Sequence, residues 1–427
     1  MSKYLNALFE FEEALSTKNT KGLLRPFKEL IDIGSERKEN LTNNPAITVY
    51  IPQKVKNLRS EKNILIILHE LSRTGAPVIT IDAVKALIKN HFFVTVVTMR
   101  RGPLLKELLE CGVPVIFNRE IPLTYDSKNI IRGKNNHMLM DTFLESFDLT
   151  IMVTAVHHNL IQRYAHSQKP ILWWLHEGTA TYDWLSISMP KQVGPHIKVY
   201  AGGKYAQEQL EKYNLHYNAQ ILNYGVIDTF KSTKRQEPKN QTVKFILPGS
   251  IGTRKGQAIL LNAIYNLPKS YLKKSEFIFV GDILSKADLD GRNIKKQIIA
   301  TSKSMSNIKY FPSISREKLF DIYKKIDILT LPSIDDPMPV VATEALMMGK
   351  VVLCSDATGT SYYIKDKQNG FVFKSEDALE LRDKIMYIID HRHALLTIGR
   401  RGRKIYEENF KMHVFEKKLI HIVKEAM

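Results

Sequence analysis

Short continuous apolar runs recur along the chain, each closed by a polar or glycine-bearing turn and most followed by a stretch with helical spacing. Ile64-Leu65-Ile66-Ile67-Leu68 opens the series, and a turn ending at Pro77, a helix over about 78–89 and the strand Val94-Thr95-Val96-Val97 follow it. Apolar runs without alternation read as strands buried on both faces, and strands separated by helices make a parallel sheet. Further strands are expected around Val115-Ile116, over 149–153 and 171–175, and at Val199-Tyr200-Ala201. Residues 231–241 are polar and aperiodic and read as a hinge. The pattern then restarts with strands over 244–248, 276–280 and 307–311. Ahead of the first sheet, Leu5, Leu8, Phe9, Leu15, Leu23, Leu24, Phe27 and Leu30 recur at helical spacing, which predicts two short separate helices before about residue 45.

The candidate chemistry collects in the second half. A strand over 327–331 runs through Pro332-Ser333 into the acidic loop Asp335-Asp336-Pro337-Met338-Pro339. A helix over 340–348 follows, stopped by Gly349, and a second strand over 350–354 enters the turn Ser355-Asp356-Ala357-Thr358-Gly359. Pro339 suits a first helical turn and Gly349 a C-terminal stop. In a doubly wound sheet ligands sit at the carboxyl ends of strands, so Asp336 and Glu344 are placed to face one crevice. Earlier, Gly249-Ser250-Ile251-Gly252-Thr253-Arg254-Lys255-Gly256 is a glycine-bounded turn with two cations just ahead of a helix, a pattern that suits a diphosphate. Gly75 and Ala76 lie in the first strand-to-helix turn, where a helix N-terminus invites an anion or a polar ligand.

An acid, seven residues, a Glu, then an apolar strand and a Ser-Asp-x-x-Gly turn resemble the E-x7-E region of retaining glycosyltransferases of family 4, group 1. The resemblance covers roughly residues 61–420 in the family's order and implies the GT-B fold: two doubly wound Rossmann-like α/β domains facing an interdomain cleft. A helical extension at 1–60 lies outside it; within it come an acceptor-side domain at 61–230, a donor-side domain at 231–404 and a closing helix at 405–427. The resemblance gives Glu344 the ribose hydroxyls of a nucleotide-sugar, and Asp336, with the backbone of Met338, Pro339 and Val340, the donor sugar. It gives Gly249, Ser250, Arg254 and Lys255 the diphosphate, lays Gly75 and Ala76 over the diphosphate and sugar, and brings His176 to the sugar. His176, Asp336 and Lys255 are thus the candidate catalytic residues, and Glu177 is a candidate to orient His176 or to meet the acceptor. His157 and His158, which close another strand, are candidates for a pocket wall.

Three departures stand out. The first acid is Asp336 rather than Glu, Pro339 stands where the family has Gly, and Ser250 stands where it has Arg, with Arg254 as the substitute. They define the alternative reading, a catalytically silent subunit that binds sugar or stabilises a partner transferase. A sugar-nucleotide epimerase of the same fold is a more distant one.

The implied reaction moves a sugar, with retention and without a metal or other cofactor, onto a glycan or lipid-linked hydroxyl of the kind found in bacterial surface polysaccharide. Composition bounds the setting. A length of 427 residues fits two domains of ordinary size. The two cysteines, Cys111 and Cys354, suggest no disulfide framework and favour a reducing cytoplasm, and Glu10, Glu12 and Glu13 argue against a signal peptide. The net charge of +18 comes without zinc spacing, an RNP-like motif or a long basic block. That combination argues against nucleic acid and fits two readings, peripheral attachment to an anionic membrane surface at its inner face or simply a soluble, lysine-rich surface.

Overall fold

The uninterrupted apolar runs form two parallel sheets. The computed structural model describes residues 47–57, 60, 62–118, 144–230, 242–284 and 287–427; the two helices expected before residue 45 and the hinge at 231–241 lie outside them. The described residues form two compact units. The first comprises those up to Gly202, Ala206–Leu222 and Phe415–Met427, and the second Gly203–Tyr205 and Asn223–Val414.

The first unit holds β1 (Ile47–Tyr50), β2 (Asn63–Glu70), β3 (Phe93–Arg100), β4 (Val115–Asn118), β5 (Leu149–Val153), β6 (Ile171–Leu175), β7 (Ile197–Ala201) and β8 (Gln220–Ile221) in the order β1-β4-β3-β2-β5-β6-β7-β8. All neighbours are parallel except β1, which pairs antiparallel with β4. All five residues of β5 and of β6 are buried, which is why their sequences run apolar without alternation. The core packs Leu65, Ile67, Val97, Met152, Trp173 and Leu175 together.

The second unit holds β9 (Val243–Pro248), β10 (Ser275–Val280), β11 (Ile308–Phe311), β12 (Ile328–Leu331), β13 (Val351–Ser355) and β14 (Phe371–Phe373), all parallel, in the order β11-β10-β9-β12-β13-β14. Phe245 stacks on Phe277 with ring centroids 5.0 Å apart in its core. The strand order reverses between β9 and β12 here, and between β2 and β5 in the first sheet. At such a reversal successive crossovers run to opposite sides, and the loops at the carboxyl ends part to leave a crevice. Among the described residues no helix is long and apolar enough to cross a membrane, and both cysteines are free thiols.

Several boundaries move. The extension drawn to residue 60 contains β1, whose Ile-Thr-Val-Tyr sequence is β-prone and finds its partner in β4. The helix after β2 is Gly75–Lys89, so Gly75 and Ala76 form its opening turn instead of preceding it. Pro339 is the N-cap of the Val340–Met347 helix, extended at φ −68° and ψ 120°, and so stands one place before the first turn. Residues 223–228 belong to the second unit, where Val226 bridges Lys411 and its carbonyl accepts from the Tyr406 hydroxyl at 2.9 Å. The segment that returns to the first unit is Phe415–Met427, later than the start at 405, and Phe415 stacks there on Trp174 at 5.8 Å.

Two glycines distinguish close approach from backbone conformation. Gly256 has φ +70°, and a Cβ on it would lie 1.8 Å from the Pro332 carbonyl oxygen. Gly349 has φ +64°, with the nearest atom to a Cβ a comfortable 3.8 Å away. Gly349→Ala should therefore cost only about 1–2 kcal/mol, for the left-handed conformation alone. Gly256→Ala should cost clearly more, since the turn must also leave β12. Urea unfolding of both variants measures the difference, and equal losses would mean that the approach to Pro332 is soft.

Candidate active site

The reversal between β9 and β12 is where the predicted residues of the second unit meet. The β9 strand ends in a turn that carries Arg254 and Lys255 on a single 3-10 turn, Thr253–Lys255, before the Gln257–Tyr265 helix. The loop after β12 carries Asp335 and Asp336, which are only 6% exposed. An unpaired carboxylate at that burial would be costly, and two cations answer it. Lys255 Nζ donates to Asp336 Oδ2 at 2.5 Å, and Arg254 Nη1 lies 3.8 Å from Oδ1 while donating to the Asp335 carbonyl at 2.7 Å. Arg254 therefore does reach the acidic loop. The Ser250 carbonyl accepts from Gln257 Nε2 at 2.9 Å, which fixes the glycine turn that begins at Gly249.

The backbone of Asp336 is gripped by the Ser-Asp-x-x-Gly turn after β13. Its N–H donates to the Ala357 carbonyl at 3.1 Å, and its carbonyl accepts from the Gly359 N–H at 2.8 Å. The Ser355 hydroxyl donates to the Ser333 carbonyl, which ties that turn to the end of β12. Met338 and Val340 are half-buried beside the buried Pro339, at the start of the helix that carries Glu344.

Glu344 is 4% exposed and has its own cation: Arg316 Nη2 donates to its Oε1 at 2.6 Å. Burial pushes the Glu344 carboxyl above the usual carboxylate range, and the Arg316 guanidinium pulls it back part of the way. On the neighbouring residue, the Thr343 hydroxyl shares a 2.8 Å hydrogen bond with the Tyr224 hydroxyl. The two predicted acids thus hold separate cations. Asp288, the first acid of Asp288-Leu289-Asp290, caps the Leu289–Ser304 helix by accepting from the Gly291 N–H at 2.8 Å. Among the described residues no group of His, Cys, Asp and Glu is arranged to hold a metal.

Gly75, Ala76 and His176 belong to the first unit. Gly75 is exposed, and a side chain there would meet open space. His176 follows β6, its ring edge-on to Trp174 with centroids 4.4 Å apart, and burial lowers its pKa to about 3, so the imidazole is neutral. Glu177 does not orient that ring. Its Oε1 accepts from the Ala155 N–H at 2.7 Å and its Oε2 from the His176 N–H at 2.8 Å, so the carboxylate joins the ends of β5 and β6 through backbone. Burial raises its pKa to about 7 despite these amides. His157 and His158 are buried rather than lining an open wall, and the His157 ring lies 6.4 Å from that of His69.

Sequence reasoning missed Arg316. It is 28 positions from Glu344 on a different helix, and the only signal was a cation in the first turn of a helix that follows a strand.

Residues 228–405 match the family model described as glycosyl transferases group 1, and residues 60–193 match that described as glycosyl-transferase family 4. The chain is 24% identical over 208 residues to an uncharacterized glycosyltransferase of Methanocaldococcus jannaschii, a match covering 48% of this chain and 54% of that protein. It is 25% identical over 115 residues to the N,N'-diacetylbacillosaminyl-diphospho-undecaprenol alpha-1,3-N-acetylgalactosaminyltransferase of Campylobacter jejuni, covering 26% of this chain and 31% of that protein. These matches span about half or less of the relatives' lengths. Anabaena HepE, solved with UDP and glucose, superposes with a TM-score of 0.66 at 16% identity, covering 84% of this chain and 99% of that one. A glycosyltransferase from Rickettsia africae gives 0.66 at 19% identity, covering 86% and 98%. At such identities the superpositions speak for the fold.

The raised pKa of Glu177 has a sign that can be checked. In the unfolded chain this carboxyl ionises in the ordinary range near 4.5, and in the folded protein at about 7. Between those values the folded state binds the extra proton, so the contribution of Glu177 to stability is present below the window and lost as pH rises through it. Urea midpoints measured from about pH 5 to 8 should fall less steeply for Glu177→Gln than for the wild type. Parallel slopes would show that another group titrates there.

Proposed function

Because the chain belongs to the group 1, family 4 glycosyltransferases and has their GT-B fold, we propose that it transfers a sugar from a nucleotide-diphosphate sugar to a hydroxyl of a glycan or lipid-linked acceptor, with retention at the anomeric carbon and without a metal. The observation that carries this reading is the contact of Lys255 with Asp336 at the reversal between β9 and β12. A cation suited to phosphate and an acid suited to sugar hydroxyls stand one hydrogen bond apart, the spacing of adjacent groups in one donor. Lys255 and Arg254 would take up the charge that develops on the departing diphosphate, an electrostatic form of catalysis. Asp336 would hold the sugar and Glu344 the ribose. Attack from the face the diphosphate leaves needs no protein nucleophile.

A uridine diphosphate donor is the first to try, since the Anabaena HepE structures hold UDP and UDP-glucose. The undecaprenol diphosphate in the name of the Campylobacter relative, together with the net charge of +18, supports a lipid-linked acceptor at an anionic membrane surface. Pro339, with no N–H to offer the sugar, favours the silent-subunit reading, which predicts donor binding without donor hydrolysis.

Two substitutions and a chelator test the proposal. Asp336→Asn should lower donor hydrolysis about a hundredfold while leaving UDP affinity equal to or better than wild type, because Lys255 loses a competitor for phosphate. Lys255→Ala should weaken UDP binding about tenfold or more and leave uridine binding unchanged. Calorimetry reads the affinities, and equal losses for UDP and uridine would remove Lys255 from the diphosphate. Turnover should persist in EDTA; loss on chelation and recovery on adding a divalent ion would overturn the metal-free mechanism.

A further inference from the structure

Arg316 is the one cation in contact with Glu344 among the described residues, and two interactions fix its place. Its guanidinium donates to Glu344 Oε1 at 2.6 Å and lies 5.6 Å from the centroid of the Phe320 ring, one turn further along the Arg316–Lys325 helix. The Arg316 side chain is 59% exposed and the Glu344 side chain 5%, so the arginine works from the surface on an acid inside. Only Oε1 is engaged; Oε2 has no protein partner among the described residues. A carboxylate with both oxygens unengaged can turn about its last torsion, whereas one pinned at a single oxygen presents the other in a set direction.

We propose that Arg316 is a positioning residue: it pins Oε1 of Glu344 so that Oε2 faces the vicinal hydroxyls of the donor's ribose. The inference deepens the proposed function and rests on its assignment of Glu344 to the ribose. Arg316 also sits where it keeps the buried acid in its acceptor form. The other titratable groups facing Glu344 are the phenols of Tyr323, on the helix of Arg316, and Tyr224, both raised by burial and therefore neutral. No second cation stands ready among the described residues to replace Arg316 at Glu344. Removing the guanidinium should loosen the carboxylate and let burial raise its pKa further, so that ribose recognition becomes both weaker and sensitive to pH.

The test compares UDP, GDP and ADP with their 2′-deoxy counterparts by calorimetry on the full chain. The wild type should prefer the ribonucleotide of whichever base binds by about tenfold or more. Glu344→Gln should remove most of that preference. Arg316→Gln should also remove most of it, and its remaining ribonucleotide affinity should fall as pH is lowered from about 8 to 6, a slope that loss of the guanidinium's charge alone would not give. Arg316→Lys should restore part of the preference. If Glu344→Gln keeps the wild-type preference, Glu344 is not the ribose ligand and the reading beneath the inference falls. If Glu344→Gln loses it while Arg316→Gln keeps it at every pH, the ribose assignment stands and the positioning role of Arg316 is overturned. A chain that binds none of the three diphosphates overturns the nucleotide reading itself. Unfolding midpoints of the variants separate a folding defect from either outcome, since an unstable variant loses affinity for ribo- and deoxyribonucleotides alike.

Discussion

The pairing of Lys255 with Asp336 is the constraint on which the second unit's architecture turns. A carboxylate so little exposed requires a cation beside it, and that cation comes from a different strand's loop. The two loops must therefore arrive in register. Gly256 provides this on one side by letting the cationic turn press against the Pro332 carbonyl, and the turn after β13 provides it on the other by holding both backbone groups of Asp336. The parallel pairing of β9 with β12, and of β12 with β13, brings the three loops to one end of the sheet. Glycine, proline, serine and threonine in these loops are thus parts of one arrangement whose product is a placed charge.

Three buried or crowded acids are satisfied in three ways, and each way suits a different task. Asp336 shares two loop cations, which leaves those cations available to a competing anion. Glu344 is held by a single arginine reaching in from the surface. Glu177 takes two backbone amides and no cation, and its pKa rises accordingly. An acid tied to backbone braces two strand ends. Acids tied to side-chain cations stand in equilibrium with whatever else those cations prefer.

Most of the fold was legible because parallel strands announce themselves. Leu149–Val153 and Ile171–Leu175 occupy the residues that their apolar runs predict, since burial on both faces leaves no room for polar positions. Ile47–Tyr50 escaped because a four-residue strand paired only at an edge has too little sequence to show a period. The start of the Gly75–Lys89 helix was placed late because Gly, Ala and Pro in a row read as turn, although all three are tolerated in a first helical turn. Of the candidate site, the resemblance located Lys255 and Asp336, and the structure added that they touch. The Arg316–Glu344 pair was invisible because it joins two helices whose placement is set by the strands that flank them, β11, β12 and β13, not by spacing along the chain.

The antiparallel β1 does something for the first sheet that none of its parallel strands does. A parallel sheet ends in a row of unpaired amides and carbonyls able to recruit a strand from another molecule. Along β4 that row is taken by Ile47 to Tyr50, residue for residue against Asn118 to Val115, while the opposite margin is the two-residue β8. The sheet thus ends in a short reversed strand on one side and in a two-residue strand on the other. A shortened chain begun after Tyr50 would keep every group discussed for sugar transfer and yet expose the full length of β4.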